Sequence, residues 1–296
     1  MIDIEKYKGI FVANTTPFNE DGSLNKKQFE NEINYLIKAG VKGFFASGTY
    51  GEGPMMSPEE YKIYIEALAK INNNRVTIIS QIGATNLAQA LQQLKYAESS
   101  GIDAVAAIPP FYYPHDDIAL YDFYKALSGA TSLPIFIYNN PTRSGNKITP
   151  NLLTKLAKIP GIVGMKDSSS DIKALMQFKM AVDKDFILLV GDDDYTVCGL
   201  LMGAQGAVIV LASLFPKIYV DMFNAVKKGN LEEAIKLQYK AIQVRMIMKK
   251  GPYISTYKEV LKLLGREGGF AKKPIRIPTE EEMKNIELGL KNLGYL

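Results

Sequence analysis

The sequence contains one cysteine and one histidine, Cys198 and His115, and this scarcity excludes two kinds of chemistry. A single thiol cannot form a disulfide within the chain, so the composition weakly favours a reducing, cytoplasmic setting. A zinc-dependent enzyme needs a cluster of imidazoles or thiolates, which these two residues cannot supply. We interpret His115 as a loop residue and Cys198 as a small buried apolar group.

Long apolar runs and clusters of like charge are also missing. No stretch approaches the ~20 apolar residues that cross a bilayer, and the amino terminus lacks the basic start and apolar core of a secretory signal. The formal net charge is only +4, and the lysines and arginines are spread along the chain. We therefore expect a cytoplasmic protein that binds neither membranes nor nucleic acids.

What the sequence does contain is a repeated alternation of short apolar runs and helical segments. Eight β-rich runs are continuously apolar instead of alternating, which is typical of parallel strands covered on both faces. They occupy residues 9–13, 43–46, 76–82, 104–108, 134–138, 162–165, 186–190 and 207–210. Segments with helical spacing separate them, and right-handed crossovers close eight such repeats into a barrel.

The predicted fold class is therefore α/β, as a (β/α)8 TIM barrel with a helical C-terminal extension. Helical segments without a further strand follow the eighth run, and the first of them completes the barrel. We assign residues 1–229 to the barrel and residues 230–296 to an extension packed on it, as a single domain overall. A doubly wound sheet is the alternative, because the same alternation of elements produces it.

Local signals predict where several helices begin and end. Ser57 is a suitable cap for a helix that begins at Pro58. Gly40, Gly101 and Gly129 follow helical segments, where we expect left-handed residues to end the helix.

Polar residues gather where the predicted strands end, which is where TIM barrels carry their active sites. Lys166 follows the sixth run, in the sequence I-V-G-M-K-D. Burial at a confined barrel mouth lowers the pKa of a lysine and gives the neutral amine that attacks a ketone. A solvated lysine beyond a strand end is the ordinary alternative. Tyr138 favours the chemical role, because it ends the neighbouring run and a phenol can shuttle the protons of imine formation.

Other groups at the same end are candidates for binding anions or a metal. The glycine-punctuated turn at residues 47–52 offers backbone N–H groups and the hydroxyl of Thr49, although such turns also serve as plain connectors. Arg143 is either a carboxylate-binding guanidinium or a surface residue. Residues 192–194 are aspartates that, with Glu52, can bind magnesium, but a run of this kind more often caps the following helix. We favour capping.

Three longer motifs carry a family resemblance. They are G-T-Y-G-E at residues 48–52, Y-N-N-P-T-R-S-G at residues 138–145 and G-M-K-D at residues 164–167. Together with P-P-F-Y-Y, L-V-G-D-D and the helical tail, they span nearly the whole chain. They resemble the dihydrodipicolinate synthase and N-acetylneuraminate lyase family. The motifs are specific for the family and poorly specific for the substrate of any one member.

The resemblance implies a carbon–carbon lyase or aldolase that acts on pyruvate through a lysine Schiff base, with no metal or organic cofactor. It implies that Lys166 forms the Schiff base and that Tyr138 is the acid and base. Thr49 would belong to the same catalytic set. Tyr112 would match a tyrosine that a dimer partner lends to the neighbouring site, because such proteins are usually homotetramers built as pairs of dimers.

The resemblance also implies a substrate-binding set. The turn would hold the carboxylate of the 2-oxo acid, and the arginine would bind the carboxylate of an aldehyde substrate, as in the synthase branch. The expected substrate-binding residues are Gly48, Thr49, Tyr50, Arg143 and Val208.

Two departures from the synthase pattern leave the aldehyde partner open. Tyr50 occupies the position of a second threonine in the synthase's proton relay, and Ile209 stands where serine is common, which predicts a more apolar pocket wall. A 4-hydroxy-tetrahydrodipicolinate synthase-like enzyme is our first expectation. A 2-keto-3-deoxy sugar acid aldolase or hydratase-aldolase is the alternative. A non-catalytic ligand-binding barrel would tolerate loss of Lys166 or Tyr138, and the presence of both argues for catalysis.

Overall fold

In a computed structural model that describes residues 3–296, eight parallel strands form a closed barrel in chain order. Strand β8 pairs back with β1, which confirms the TIM barrel and excludes the doubly wound sheet. Every strand residue is buried, because side chains fill the barrel and helices cover it, so the runs are continuously apolar. The strands are β1 (Gly9–Val12), β2 (Gly43–Ala46), β3 (Thr77–Gln81), β4 (Ala104–Ala107), β5 (Ile135–Asn139), β6 (Ile162–Asp167), β7 (Ile187–Val190) and β8 (Gly206–Ile209).

Strands β5 and β6 continue past the ends of their predicted runs, through Asn139 and Asp167. The apolar pattern stops earlier because the final residues of these strands are polar. Tyr138 and Lys166 consequently lie within the strands and are direct partners in the β5–β6 register. Their backbones are fixed by the barrel's hydrogen bonds and do not depend on a loop.

Within residues 3–296, nine α-helices surround the barrel. Ser57 forms a capping box with Glu60 at the start of the second helix, as predicted. Gly40 and Gly101 take the left-handed conformation, with φ of 86° and 71°. The prediction for Gly129 is wrong, because its φ is −70° and it continues the right-handed turn. The helices are α1 (Lys26–Lys38), α2 (Pro58–Asn72), α3 (Leu87–Ser99), α4 (Asp117–Ser128), α5 (Pro141–Ser144), α6 (Pro150–Leu156), α7 (Ile172–Ala181), α8 (Thr196–Leu201) and α9 (Pro216–Lys227).

The two residues that were used to exclude zinc chemistry lie in different settings. His115 lies in the loop between β4 and α4, as predicted. The prediction that Cys198 is buried is wrong, because the residue is exposed. The short helix α8 turns Val197 and Gly199 towards the interior, and Cys198 between them faces outwards.

The chain after the barrel forms α10 (Leu231–Met248), α11 (Ser255–Leu263) and α12 (Glu280–Asn292). These helices are the predicted C-terminal extension, and their buried residues Val244, Val260 and Ile286 belong to the same apolar core as the barrel. The boundary between residues 229 and 230 stays a prediction. Within the part of the chain described here, no helix has the length and apolar character to cross a bilayer.

Candidate active site

A cavity of about 170 Å³ opens at the carboxyl ends of the strands, where TIM barrels carry their active sites. Its wall is formed by strand ends, by the loops that follow them and by two side chains of the C-terminal extension. The lining residues are Ala13, Thr49, Tyr50, Tyr138, Asn140, Thr142, Arg143, Lys166, Ser168, Ser170, Gly191, Asp192, Asp193, Val208, Val210, Arg245 and Tyr253.

Lys166 projects from β6 into this cavity and is only 4% exposed. Its Nζ lies 4.1 Å from the centroid of the Tyr138 ring and 4.1 Å from that of the Phe45 ring. Burial lowers the pKa of Lys166 below its ordinary value, and the neighbouring Tyr138 opposes this shift only partly. The amine therefore has the confined, desolvated setting that nucleophilic attack on a ketone requires.

Tyr138 lies beside this amine and has two hydrogen-bonding neighbours at its hydroxyl. The hydroxyl of Thr49 is 3.3 Å away, and the Asn140 amide donates a hydrogen bond of 2.9 Å. Burial acts to raise the pKa of Tyr138, but the positive charge of Lys166 and these hydrogen bonds bring it below its ordinary value. Tyr138 and Lys166 are thus placed to exchange a proton.

Asn140 is a site residue that the sequence analysis missed. The Thr142 hydroxyl donates to Oδ1 of Asn140 over 2.9 Å, which fixes the amide with its Nδ2 towards Tyr138. An amide nitrogen donates and does not accept, so the proton of the Tyr138 hydroxyl cannot point towards Asn140 and must point towards a different group. The available directions are towards Thr49 and towards Lys166. The Y-N-N-P-T motif contains all three residues of this chain of hydrogen bonds, but only the fold shows that their side chains meet.

The turn that carries Thr49 and Tyr50 has a strained backbone with φ of 50° at Ser47 and 58° at Glu52. Thr49 and Tyr50 line the cavity, whereas Gly48 lies in the turn and, among the described residues, is not part of the cavity wall. Glu52 accepts a hydrogen bond of 2.6 Å from the backbone N–H of Lys272. Its other carboxylate oxygen lies 2.5 Å from the ammonium of Lys258 on α11. The extension therefore fixes the end of this turn.

Tyr50 packs into an aromatic group with Tyr253 and Tyr257 of the extension, with ring centroids 4.6 and 4.8 Å away. Burial raises the pKa of Tyr50 well above its ordinary value, so it is a neutral phenol at physiological pH. Arg143 is exposed, but its guanidinium stacks over Tyr253 at 4.4 Å and forms part of the cavity wall. Arg143 is therefore more than a solvated surface residue.

The sequence analysis also made predictions about Ile209 and Tyr112. Ile209 was expected on the pocket wall, and this is wrong, because the cavity is lined by Val208 of β8 and by Val210 just after the strand, and Ile209 between them points away. Tyr112 lies in the loop after β4, 83% exposed, and stacks on Tyr113 with centroids 4.9 Å apart. Within one chain, Tyr112 is not part of the described cavity wall.

The aspartates after β7 are bound by protein groups. Asp192 accepts a hydrogen bond of 2.9 Å from the backbone N–H of Asp194, which is the predicted capping role. Asp193 forms an ion pair with Arg245 of α10. Glu52, which was grouped with these aspartates in the magnesium hypothesis, is instead paired with Lys258.

Residues 6–293 match the model of the dihydrodipicolinate synthetase family. The chain is 30% identical over 291 residues to an N-acetylneuraminate lyase of Mediterraneibacter gnavus, covering 97% of this chain and 92% of the relative. It is 32% identical to a 4-hydroxy-tetrahydrodipicolinate synthase of Neisseria meningitidis serogroup B, over 98% of this chain and 99% of the relative.

A solved structure is similar over the same length. It is a prophage protein of the dihydrodipicolinic acid synthase family from E. coli K12 in complex with pyruvate, with a TM-score of 0.94 and 26% identity, and the match covers 98% of this chain and 99% of that one. The resemblance carried by the sequence motifs is thereby confirmed. The chain belongs to the dihydrodipicolinate synthetase family and is a carbon–carbon lyase of the Schiff-base aldolase type.

Proposed function

We propose that this enzyme joins pyruvate to an aldehyde, or cleaves the corresponding 4-hydroxy-2-oxo acid, through a Schiff base on Lys166. The observation that carries the proposal is the pairing of a buried lysine with a phenol at the mouth of the barrel. The Nζ of Lys166 lies 4.1 Å from the centroid of the Tyr138 ring, and burial lowers the lysine's pKa. The structural relative in complex with pyruvate supports pyruvate as the 2-oxo acid.

In the proposed cycle, the neutral amine of Lys166 forms a bond to the keto carbon of pyruvate. The keto oxygen takes up protons with the help of Tyr138 and leaves as water, which gives an iminium ion. Tyr138, now a phenolate, takes a methyl proton to give an enamine, whose carbon adds to the aldehyde while the aldehyde oxygen takes up that proton. Water then hydrolyses the resulting iminium and frees Lys166. The protonated imine supplies the electrophile, so we propose no metal or organic cofactor.

Thr49 and the amides of its turn are proposed to hold the carboxylate of pyruvate. Thr49 also lies 3.3 Å from the hydroxyl of Tyr138, which would link carboxylate binding to proton transfer. Gly48, in the same turn, is proposed to contribute its backbone. Val208 is proposed to contact the bound acid from the apolar side of the cavity.

For the aldehyde partner, we propose the 4-hydroxy-tetrahydrodipicolinate synthase reaction, with Arg143 as the carboxylate-binding residue. The position of its guanidinium on the cavity wall supports this choice. A second candidate is a 2-keto-3-deoxy sugar acid aldolase or hydratase-aldolase. It is favoured by the large Tyr50 on the wall and by the hydroxyls of Ser168 and Ser170, which suit a hydroxylated aldehyde.

We further propose a cytoplasmic homotetramer. Tyr112 and Tyr113 in the loop after β4, and Ile118 at the start of α4, supply exposed apolar surface, with 83%, 66% and 73% exposure. Leu201 and Tyr239 contribute apolar surface elsewhere, on α8 and α10. Exposed groups of this kind mark interfaces, and the first surface would bring Tyr112 to a neighbouring site. Sedimentation analysis tests the oligomeric state, and a monomer at micromolar concentration would contradict it.

The Schiff base is tested by incubating the enzyme with pyruvate and borohydride, followed by peptide mass analysis. We expect the reduced pyruvyl adduct on Lys166 and no adduct in Lys166→Met. Lys173→Met is the matched control, because Lys173 lies on the nearby helix α7 outside the cavity. An absent adduct in the wild type, or an adduct on another lysine, would overturn the proposed mechanism.

The aldehyde partner is tested with a panel that contains aspartate semialdehyde and glyceraldehyde. The variant Arg143→Met distinguishes the synthase from the sugar acid aldolase. We expect it to raise KM for the anionic aldehyde by about tenfold or more and to leave hydroxylated neutral aldehydes nearly unaffected. Condensation with glyceraldehyde alone would favour the sugar acid aldolase.

A further inference from the structure

Arg245 is a cavity residue supplied by the C-terminal extension, and no role has been assigned to it above. It projects from α10 towards the loop after β7, where its guanidinium forms part of the cavity wall. Nη1 lies 2.7 Å from Oδ2 of Asp193, and Nε lies 3.1 Å from Oδ1 of Asp194. Nη2 lies 3.6 Å from Oδ1 of Asp192. One guanidinium thus serves three successive carboxylates.

Asp193 is the most constrained of the three aspartates, with an exposed fraction of 3%. Besides its ion pair with Arg245, it accepts a hydrogen bond of 2.6 Å from the Tyr219 hydroxyl. Gln238 of α10 donates a bond of 2.7 Å to its backbone carbonyl. Burial raises the pKa of Asp193, and Arg245 opposes that shift by favouring the carboxylate. This arrangement holds the Asp193 carboxyl group in place at the edge of the cavity.

The ionisable surroundings of Lys166 explain why this pairing matters. A carboxylate at position 193 favours the ammonium form of Lys166, which is the unreactive form. Asp167, next to Lys166 in the chain, is bound to Asn139 and Ser169 instead. The ionisable groups on the cavity wall around the amine are Tyr138 from β5, Tyr50 from the turn after β2, Asp192 and Asp193 from the loop after β7, Arg143 from α5, and Arg245 and Tyr253 from the extension.

The charges on this wall are balanced only when Arg245 is present. Two carboxylates, Asp192 and Asp193, face two guanidinium groups, of Arg143 and Arg245. Arg143 is exposed and stacks on Tyr253, so solvent screens its charge. Without Arg245, the buried carboxylate of Asp193 would line the cavity of Lys166 with no partly buried cation beside it.

We propose that Arg245 is a positioning residue for the reaction: by pairing with Asp193 it neutralises a carboxylate that lines the same cavity as Lys166, so that the lysine reaches its nucleophilic neutral form. This inference rests on the proposed Schiff-base function. It assigns a part of the activation of the Lys166 amine to the C-terminal extension, 79 positions further along the chain. Arg245 does not itself contact the reacting atoms in this proposal.

The test measures imine formation with pyruvate against pH, trapped with cyanoborohydride and quantified by intact mass. For Arg245→Met we expect the acid limb to move upwards by about one pH unit, which is about tenfold less imine at a given pH on that limb. For Asp193→Asn the limb should move to lower pH, because a carboxylate that favours the ammonium form of Lys166 is removed while the guanidinium stays. The double variant should return towards the wild-type limb.

Lys249→Met is the matched control, because Lys249 directly follows α10 and its Nζ is 3.6 Å from Asp194. It is mostly exposed and outside the cavity, so we expect the wild-type profile. If Arg245→Met does not fold, the opposite shift in Asp193→Asn still tests the proposal.

Two results would overturn the inference. One is an unchanged acid limb in a folded Arg245→Met variant, as expected if Asp193 simply takes up a proton there. The other is an Asp193→Asn limb that stays in place or moves upwards. Failure of the proposed function is distinguishable from both, because the wild-type enzyme would then show no trapped adduct at any pH.

Discussion

The two halves of the candidate site are held in different ways. Tyr138 and Lys166 lie within neighbouring strands and are direct register partners, so the barrel's own backbone hydrogen bonds set their spacing. The turn after β2 and the loop after β7 are instead held by side chains of the extension. Lys258 binds Glu52 in the turn, and Arg245 binds Asp193 in the loop.

The barrel and the extension therefore hold different parts of the site. The strands alone set the positions of Tyr138 and Lys166, whereas the turn and the loop around them are held by two cations from α10 and α11. The extension therefore completes the site, and variation in it can alter the pocket without moving the amine.

Replacing Tyr138 by phenylalanine tests the strand-held half and should have the largest effect. Loss of the phenol hydroxyl removes the proposed acid and base, so we expect kcat to fall by about 10²- to 10⁴-fold while the fold is kept. Steady-state kinetics with circular dichroism as a folding control measures this. Phenylalanine keeps the aromatic ring and its packing, so the change isolates the hydroxyl. Unchanged kcat in Tyr138→Phe would show that another group moves the protons.

Replacing Lys258 by methionine tests the half that the extension holds. Lys258 is 1% exposed, and its ammonium also donates to the carbonyl of Thr16 over 2.6 Å. Removing it leaves the Glu52 carboxylate buried without its ion-pair partner, and we expect the free energy of unfolding to fall by about 3–5 kcal/mol. Denaturant titration measures this change.

The double variant Lys258→Met with Glu52→Gln is the control for the unpaired charge. It should recover part of the loss, because the remaining amide is neutral. In Lys258→Met, the protein that remains folded should bind pyruvate more weakly, because the turn that carries Thr49 is displaced. A full loss of stability in both variants would show that packing, and not charge pairing, fixes the turn.

The strand-held half could be predicted from the sequence because its signals are local. The apolar runs predicted the strands, and a lysine and a tyrosine at adjacent strand ends predicted one pocket. The polar ends of β5 and β6 were the only parts of these strands that the pattern missed. A closed barrel brings adjacent strands together, so no long-range information was needed for Lys166 and Tyr138.

The half held by the extension could not be predicted, because its contacts join residues far apart in the chain. Lys258 and Arg245 lie in helices whose charge pattern resembles that of any solvated helix face. Nothing local shows that one is buried against Glu52 and the other turned into a cavity. Ile209 and Cys198 failed for a related reason, since the side to which a residue points within a short element depends on packing.

Asp167→Asn tests the strand-held half without involving the extension. Asp167 lies at the end of β6, and its carboxylate is bound by residues of that half. Burial raises its pKa from 3.8 to about 6. The folded protein therefore binds a proton that the unfolded chain has already lost between these values. Ionisation of Asp167 therefore lowers the free energy of unfolding as the pH rises from about 4 to 6, and the free energy stays lowered at higher pH.

The asparagine variant should remove that dependence, because an amide does not ionise. We expect it to be more stable than the wild type above pH 6, by up to about 3 kcal/mol, and to match it near pH 4. Thermal unfolding at pH 4, 6 and 8 measures the difference. An equal difference at all three pH values would mean that Asp167 keeps its ordinary pKa.

The smallest expected effect concerns Asn140, which belongs to the strand-held half but acts only through Tyr138. In Asn140→Leu the phenol loses a hydrogen bond of 2.9 Å, and we expect kcat to fall by about tenfold with KM for pyruvate unchanged. Thr142→Val should give a weaker change of the same sign, because it frees the Asn140 amide to rotate, and Thr142→Ser should restore activity. Equal activity in Thr142→Val and Thr142→Ser would contradict a fixed amide as the means by which the phenol proton is directed.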